Sequence, residues 1–403
     1  MSTPSCPMDW VSGLDIWTDP ELHADPYPRY GKLREACPAA RSEALGGYWL
    51  FSRYEDVLSI LQDAGSFSNE VLFVPPIKDP TGRRIPIELD PPEHGQYKKL
   101  LARYFSPQRV RALEPATREV ARELLAPTRG RPSMEFMAEF AVPLPFRVMM
   151  KVFGLPAGDF ALLKSWDDAG LREGTSDLAL RREATKAARV RLLAYFRELL
   201  ADRARDTSGE PAGLVDELVR AAHPAGRPLE LDELTNICVT LWNASLHTTA
   251  NVLGNSVVHL SDRPDLRDRL TAEPELIADA LEELMRYESI VAQARLVVAD
   301  TEIAGQPLHK GEFVVTLTGS AGRDERQFDR PDEIDFDRPA KPHLMFGAGV
   351  HRCIGSHVAR MELRVALEEL HRTHPGYRRD PARPPHRHTG LERGTTELHL
   401  LLS

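Results

Sequence analysis

Near its C-terminal end the chain runs Phe346-Gly-Ala-Gly-Val-His-Arg-Cys353-Ile-Gly355, and no other segment constrains the fold as strongly. The glycines let the backbone turn tightly and approach a flat ligand closely. From Ile354 the pattern becomes helical, with Val358, Met361 and Val365 on one face and charges elsewhere. This reading puts Cys353 at a helix N-terminus, where amide N–H groups and the helix dipole favour a thiolate. A buried, inert cysteine beside an ordinary Gly-rich turn is the alternative, and the rest of the chain has to decide between them.

Helical periodicity dominates that remainder. Asp90-Pro-Pro-Glu-His94 opens one helix, with proline presetting φ at its start. Further helical segments are expected over 107–128, 133–153, 157–172 and 177–206, separated by turns rich in Pro, Gly and charge. Asp232 and Glu233 acidify the start of a long helix reaching about His259, and another covers 274–287. Short β-prone stretches occupy 48–51, 295–298, 313–318 and 398–402. No internal repeat or low-complexity linker divides the chain. Residues 1–403 therefore read as one continuous domain, mainly α with small β-sheets.

Composition excludes several classes of function. The net charge of −9 leaves no basic tail or stripe, which argues against nucleic acid as a partner. Cys6, Cys37, Cys238 and Cys353 lie far apart with no CxxC pair, so neither a structural zinc site nor a disulfide framework is expected, and a reducing cytoplasm suits the chain. The first residues contain no apolar run, and the longest apolar stretch, 237–260, is interrupted by Asn243, His247, Asn251 and Asn255. A soluble protein without a leader or membrane anchor is the expectation.

The ten-residue cysteine segment resembles the haem-binding loop of the cytochrome P-450 family, with the spacing from Phe346 to Cys353 intact. The resemblance extends over almost the full chain and implies the P-450-like haem-thiolate fold with haem b (iron protoporphyrin IX) as cofactor. It makes Cys353 the axial ligand and sets Phe346, Gly347 and Gly349 around it. A thiolate in that position pushes electron density onto the iron and promotes O–O cleavage. Glu283-Leu-Met-Arg286 looks like the family's ExxR element, and residues three apart on a helix share a face. The segment 329–338 is similar to the one supplying a second arginine, so Arg338 would complete a buried network bracing the loop. Haem propionates need cationic or hydrogen-bonding partners. By resemblance these are His94 and Lys98 on one helical face, Arg295 and His351. Lys98 stands where the family has arginine and gives up bidentate geometry.

Ala244-Ser-Leu-His-Thr-Thr249 aligns with the family's Ala/Gly-Gly-x-acid-Thr-Thr stretch over the distal haem face. That pattern provides a helix bulge, an acid and a threonine hydroxyl that deliver protons to the oxygen being activated. Thr248 fits the threonine role, Ser245 replaces glycine, and His247 replaces the acid. An imidazole can relay protons but brings no fixed negative charge. A His247 that only packs is the plain alternative. By resemblance, substrate contacts Thr240, Asn243, Ala244 and the loop 69–87, with Val291 and Gln293 in the turn 291–294. Two amides among them favour a substrate with amide groups or ring heteroatoms.

No flavin or iron–sulfur segment is present, so electrons are expected from a ferredoxin fed by an NAD(P)H-dependent ferredoxin reductase. Lys98, Lys99, Arg103, Arg360 and Arg364 offer a basic docking face. The expected activity is O2-dependent monooxygenation of a small organic molecule in secondary metabolism. Oxidative C–C or C–N coupling of an aromatic or cyclic-dipeptide-like natural product is the alternative within the class. A non-catalytic haem sensor or carrier is the alternative outside it.

Overall fold

Helices form where a cap or a proline marks their start. The computed structural model describes residues 6–76, 81–171, 178–388 and 390–402. The helices that position the site are α1 (Tyr54–Gln62), α2 (Glu93–Ala102), α3 (Pro107–Leu125), α4 (Pro143–Phe153), α5 (Phe160–Leu171), α6 (Leu178–Arg205), α7 (Leu231–Asp262), α8 (Ile277–Tyr287) and α9 (Ser356–Thr373). The Ser106 hydroxyl accepts the Arg109 N–H at the start of α3, with Pro107 in the first helical position. Glu230 and Glu233 form a reciprocal capping box for α7. That helix has 32 residues and is buried around most of its circumference. Its polar side chains therefore need protein partners or a cavity.

The main sheet combines β1 (Ala39–Ser42), β2 (Tyr48–Phe51), β3 (Phe67–Ser68), β5 (Ala292–Val297) and β6 (Phe313–Leu317) in the order β1-β2-β6-β5-β3. Only the β2–β6 pair is parallel, and register places Arg295 opposite Val314. A smaller sheet joins β4 (Ser133–Glu135), β8 (His399–Leu401) and β7 (Arg378–Arg379). The principal core packs α3, α4, α7 and α9 around Phe140, Phe153, Phe196 and Trp242. No helix among the described residues is long and apolar enough to cross a membrane.

Three expectations need correction. The segment 133–153 is not one helix: Ser133–Glu135 pairs with the C-terminal strand, and a π-turn over Met137–Ala141 leads into α4. The Glu135 carboxylate holds that break by accepting the N–H groups of Met137 and Leu398. Helix α5 begins at Phe160 after a single 3₁₀ turn, and the expected ends at 172 and 177 lie outside the described residues. Cys6 and Cys37 form a disulfide, their Cα atoms 5.5 Å apart. The N-terminal segment folds back so that Val11, Leu14 and Ile16 pack with Leu33, Ala40 and Leu50, which brings the distant cysteines together.

Candidate active site

The cysteine loop is held from three sides. Gly347 and Gly349 adopt left-handed φ values of 66° and 65°. A Cβ on Gly349 would lie 2.6 Å from the Leu61 carbonyl oxygen at the end of α1, so only glycine permits this approach. The Cys353 N–H donates to the Phe346 carbonyl at 2.8 Å, closing the loop. Helix α9 begins three residues later, so Cys353 precedes the helix rather than occupying its first turn. Its side chain is exposed. The surrounding protein pushes the thiol up, against a Gly355 N–H and the positive charges of Lys98, Arg352 and Arg360. Lys98 donates to the carbonyls of Val350 and Arg352, 2.5 Å from each.

Behind the loop stands the Glu–Arg–Arg network. Arg286 donates to both Glu283 oxygens at 2.8 Å and to the carbonyls of Gly322, Pro331 and Glu333. Arg338 donates to Glu283 at 3.1 Å and to the Asp329 carbonyl at 2.5 Å. Both ions of the ExxR pair are fully buried. The direct tie to the loop comes from the preceding residue, whose role the sequence pattern did not reveal. Glu282 accepts from Arg360 at 2.6 and 2.8 Å and faces His343 at 3.1 Å. Burial would raise the Glu282 carboxyl, but Arg360 and His343 bring it down to about 2. The Arg360 guanidinium also covers the Phe346 ring at 4.4 Å.

Two imidazoles and a buried arginine cluster beside the loop. The rings of His94 and His351 are 4.0 Å apart. His94 Nδ1 and His351 Nε2 are buried without a hydrogen-bond partner. Burial, with neighbouring positive charge, lowers these imidazoles to about 4 and about 3. Arg295 is buried and donates to the Ala294 carbonyl and the Gln293 amide oxygen. Burial lowers its guanidinium to about 10. The Gln293 side chain thus serves this cluster and lies close to Gly347, a different position from the substrate contact expected of it.

On α7 the oxygen-helix residues sit in an unbroken helix, so the expected bulge is absent. Ser245 donates to the Trp242 carbonyl at 2.8 Å and Thr248 to the Ala244 carbonyl at 2.9 Å. His247 Nε2 faces the Asp167 carboxylate on α5 at 2.7 Å. Burial would lower the imidazole, but the hydrogen bond and charge of Asp167, joined by Glu392, raise it. Asn243 and Ala244 are exposed midway along this otherwise buried helix. Thr240, one turn earlier, is buried with its hydroxyl unpartnered.

Residues 177–373 match the family described as Cytochrome P450. The chain is 38% identical over 389 residues to nocardicin C N-oxygenase of Nocardia uniformis subsp. tsuyamanensis, covering 93% of this chain and 95% of the relative. It is 35% identical to mycinamicin IV hydroxylase/epoxidase of Micromonospora griseorubida, covering 87% and 88% of the two chains. The crystal structure of cytochrome P450 CYP101C1 superposes with a TM-score of 0.87 at 28% identity, over the full length of both chains.

The chain belongs to the cytochrome P450 family.

Haem b is the cofactor of this P450, and the residues fit it. Orphaned imidazole nitrogens and a buried arginine bonded only to neutral oxygens are what anionic propionates would satisfy. Cys353 would supply the thiolate, and His94, His351 and Arg295 would hold the propionate end. The P450's expected docking face is smaller than the sequence suggested. Arg360 is bound to Glu282, and Arg364 to Glu114 and Glu368. Lys99, Arg103 and Arg352 remain exposed, as does Val350 in the cysteine loop. Asn69 is tied to Asp90 and the Ile87 carbonyl, while residues 77–80 of its loop lie outside the described residues. Val291 is half-buried and pairs through its backbone with Glu392.

Proposed function

We propose that this P450 monooxygenase, a single domain over residues 1–403, acts in secondary metabolism on a small substrate rich in hydrogen-bonding groups. The observation that carries this reading is the polar stripe on α7. An unpartnered Thr240 hydroxyl and an exposed Asn243 amide stand one turn apart on one face of the helix. A plain hydrocarbon would leave those groups unsatisfied, whereas a peptide-like or heteroaromatic molecule pairs with them. Relatives named for nocardicin C and mycinamicin IV support a natural-product substrate.

Haem b, with Cys353 as thiolate ligand, supplies oxygen activation. The chain's residues supply orientation and protons. Thr240 and Asn243 fix the substrate, with Val291 beside it. With Nε2 of His247 committed to Asp167, Nδ1 is the ring nitrogen left to pass a proton toward Thr248, the next residue in the chain. Thr248 must release the Ala244 carbonyl to pass that proton on. Electrons come from a ferredoxin and its NAD(P)H-dependent reductase in the cytoplasm, docking at Lys99, Arg103 and Arg352 around Val350.

The test is a spectral titration of the ferric holoenzyme with matched amide-bearing and hydrocarbon compounds. Amide-bearing compounds should shift the spin state at lower concentration, and Asn243→Leu should erase the preference. Equal affinities for the two sets would overturn the substrate reading. A second reading, oxidative coupling, is favoured by the unbroken helix and by Ser245, which stands where the family has glycine and bonds the Trp242 carbonyl. Product mass separates the two: one oxygen gained for monooxygenation, two hydrogens lost for coupling.

A further inference from the structure

Acidic groups from two separate elements reach the turns of α7 around His247. Asp167 approaches from α5. Glu392 approaches from the C-terminal turn, which is pinned to the start of β5 by the Ala292 N–H to Leu391 carbonyl and Arg393 N–H to Ile290 carbonyl bonds. The Asn251 amide, one turn beyond His247 on α7, donates to Glu392 Oε1 at 2.6 Å. This contact is built into the backbone: a Cβ on Gly394 would lie 2.1 Å from the Asn251 side chain, so the turn can dock there only with glycine. One residue further, Thr395 bonds Asn255 at 2.8 Å, fixing the turn along the same helical face.

We propose that Glu392 is a positioning residue for proton delivery, a carboxyl held by Asn251 that reprotonates His247 after each transfer toward Thr248. Asn251 occupies Oε1, which leaves Oε2 to carry the proton. As His247 Nδ1 gives its proton toward Thr248, Glu392 Oε2 returns one to the imidazole, and the resulting carboxylate takes a proton from solvent. No electrons move, and His247 keeps its bond to Asp167 throughout. Burial raises the Glu392 carboxyl, against the charge of His247 and the Asn251 hydrogen bond. The other charge facing His247 is Lys164, itself bonded to Asp168.

This inference rests on the His247 relay, and the experiment separates the two. Holoenzyme variants Glu392→Gln, Asn251→Ala and His247→Ala are compared for peroxide yield, solvent isotope effect on product formation, and the infrared C=O band of a buried carboxylic acid in the reduced carbon monoxide complex. Glu392→Gln preserves size and an acceptor for Asn251 but carries no acidic proton. It should cut coupled product formation roughly tenfold or more, raise the isotope effect, and delete the carboxylic acid band while haem content is unchanged. Asn251→Ala should shift that band and give a smaller defect, which keeps the proposal testable if Glu392→Gln fails to fold. Wild-type coupling and isotope effect in Glu392→Gln, alongside an uncoupled His247→Ala, overturn the role of Glu392 alone. Wild-type behaviour in His247→Ala overturns the relay itself.

Discussion

The cysteine loop and the oxygen helix are two halves of one active site that solve their electrostatics differently. Around the loop, charges are settled redundantly. Glu283 is shared by Arg286 and Arg338, and Glu282 by Arg360 and His343. Over the oxygen helix, charge comes from far along the chain. His247 takes Asp167 from α5 and Glu392 from the last turn, while Thr248 and Ser245 only satisfy their own helix. A ligand-holding site tolerates little variation because each carboxylate behind the loop has several partners. A proton-handling site can be rebuilt with opposite polarity, as long as a titratable group remains beside the threonine.

The largest effect should come from Cys353→Ala. The reduced carbon monoxide complex should lose the thiolate signature entirely, because the other free cysteine, Cys238, is buried in the α7 core. A variant that kept that signature would break the comparison at its root. Next is Arg286→Ala, which leaves Glu283 buried with Arg338 as its remaining cation. Loss of one member of a buried pair costs about 3–5 kcal/mol, and the melting temperature and haem content should both fall.

On the oxygen helix, His247→Ala should leave haem content near wild type, raise peroxide yield and slow product formation. The pH dependence has a definite sign. Because the folded protein raises the imidazole's affinity for protons, wild type should gain stability over His247→Ala at acidic pH. That advantage is complete below the free imidazole value of about 6.5 and fades as pH rises through the raised native value. A melting-temperature difference that is flat from acid to alkaline pH would show that Asp167 and Glu392 do not govern His247. The smallest effect belongs to Lys98→Ala, which removes two hydrogen bonds to the cysteine loop. A loss of about 1–2 kcal/mol is expected, read as a faster transfer of haem to an acceptor protein. Unchanged transfer would mean the loop is held without its lysine.

Legibility in the sequence follows the same division. The Phe346–Cys353 spacing, the glycines and the Glu283–Arg286 pair were readable because each element is a contiguous run whose geometry is local. The second arginine was readable by its place between them. The partners of His247 were not, since Asp167 is 80 residues away and Glu392 sits in a turn with no period of its own. Nothing in the Glu283–Arg286 pattern singles out Glu282, whose partners lie 61 and 78 residues away. The strand Ser133–Glu135 is too short for alternation to show, and its pairing partner is at the other end of the chain. The Cys6–Cys37 disulfide escaped for the same reason: a cysteine's neighbours in sequence say nothing about where the N-terminal segment folds back.

Glu282 and Glu283 are adjacent, yet one grips the cysteine loop and α9 while the other anchors Arg286 and Arg338. Consecutive helical residues point about 100° apart, so a single turn of α8 serves both networks at once. Any insertion or deletion of one residue upstream within α8 would rotate both carboxylates off Arg338 and Arg360 together. Length, more than composition, is what this helix cannot afford to change, and lineages of this protein should accept substitutions on its outer face long before they accept a gap.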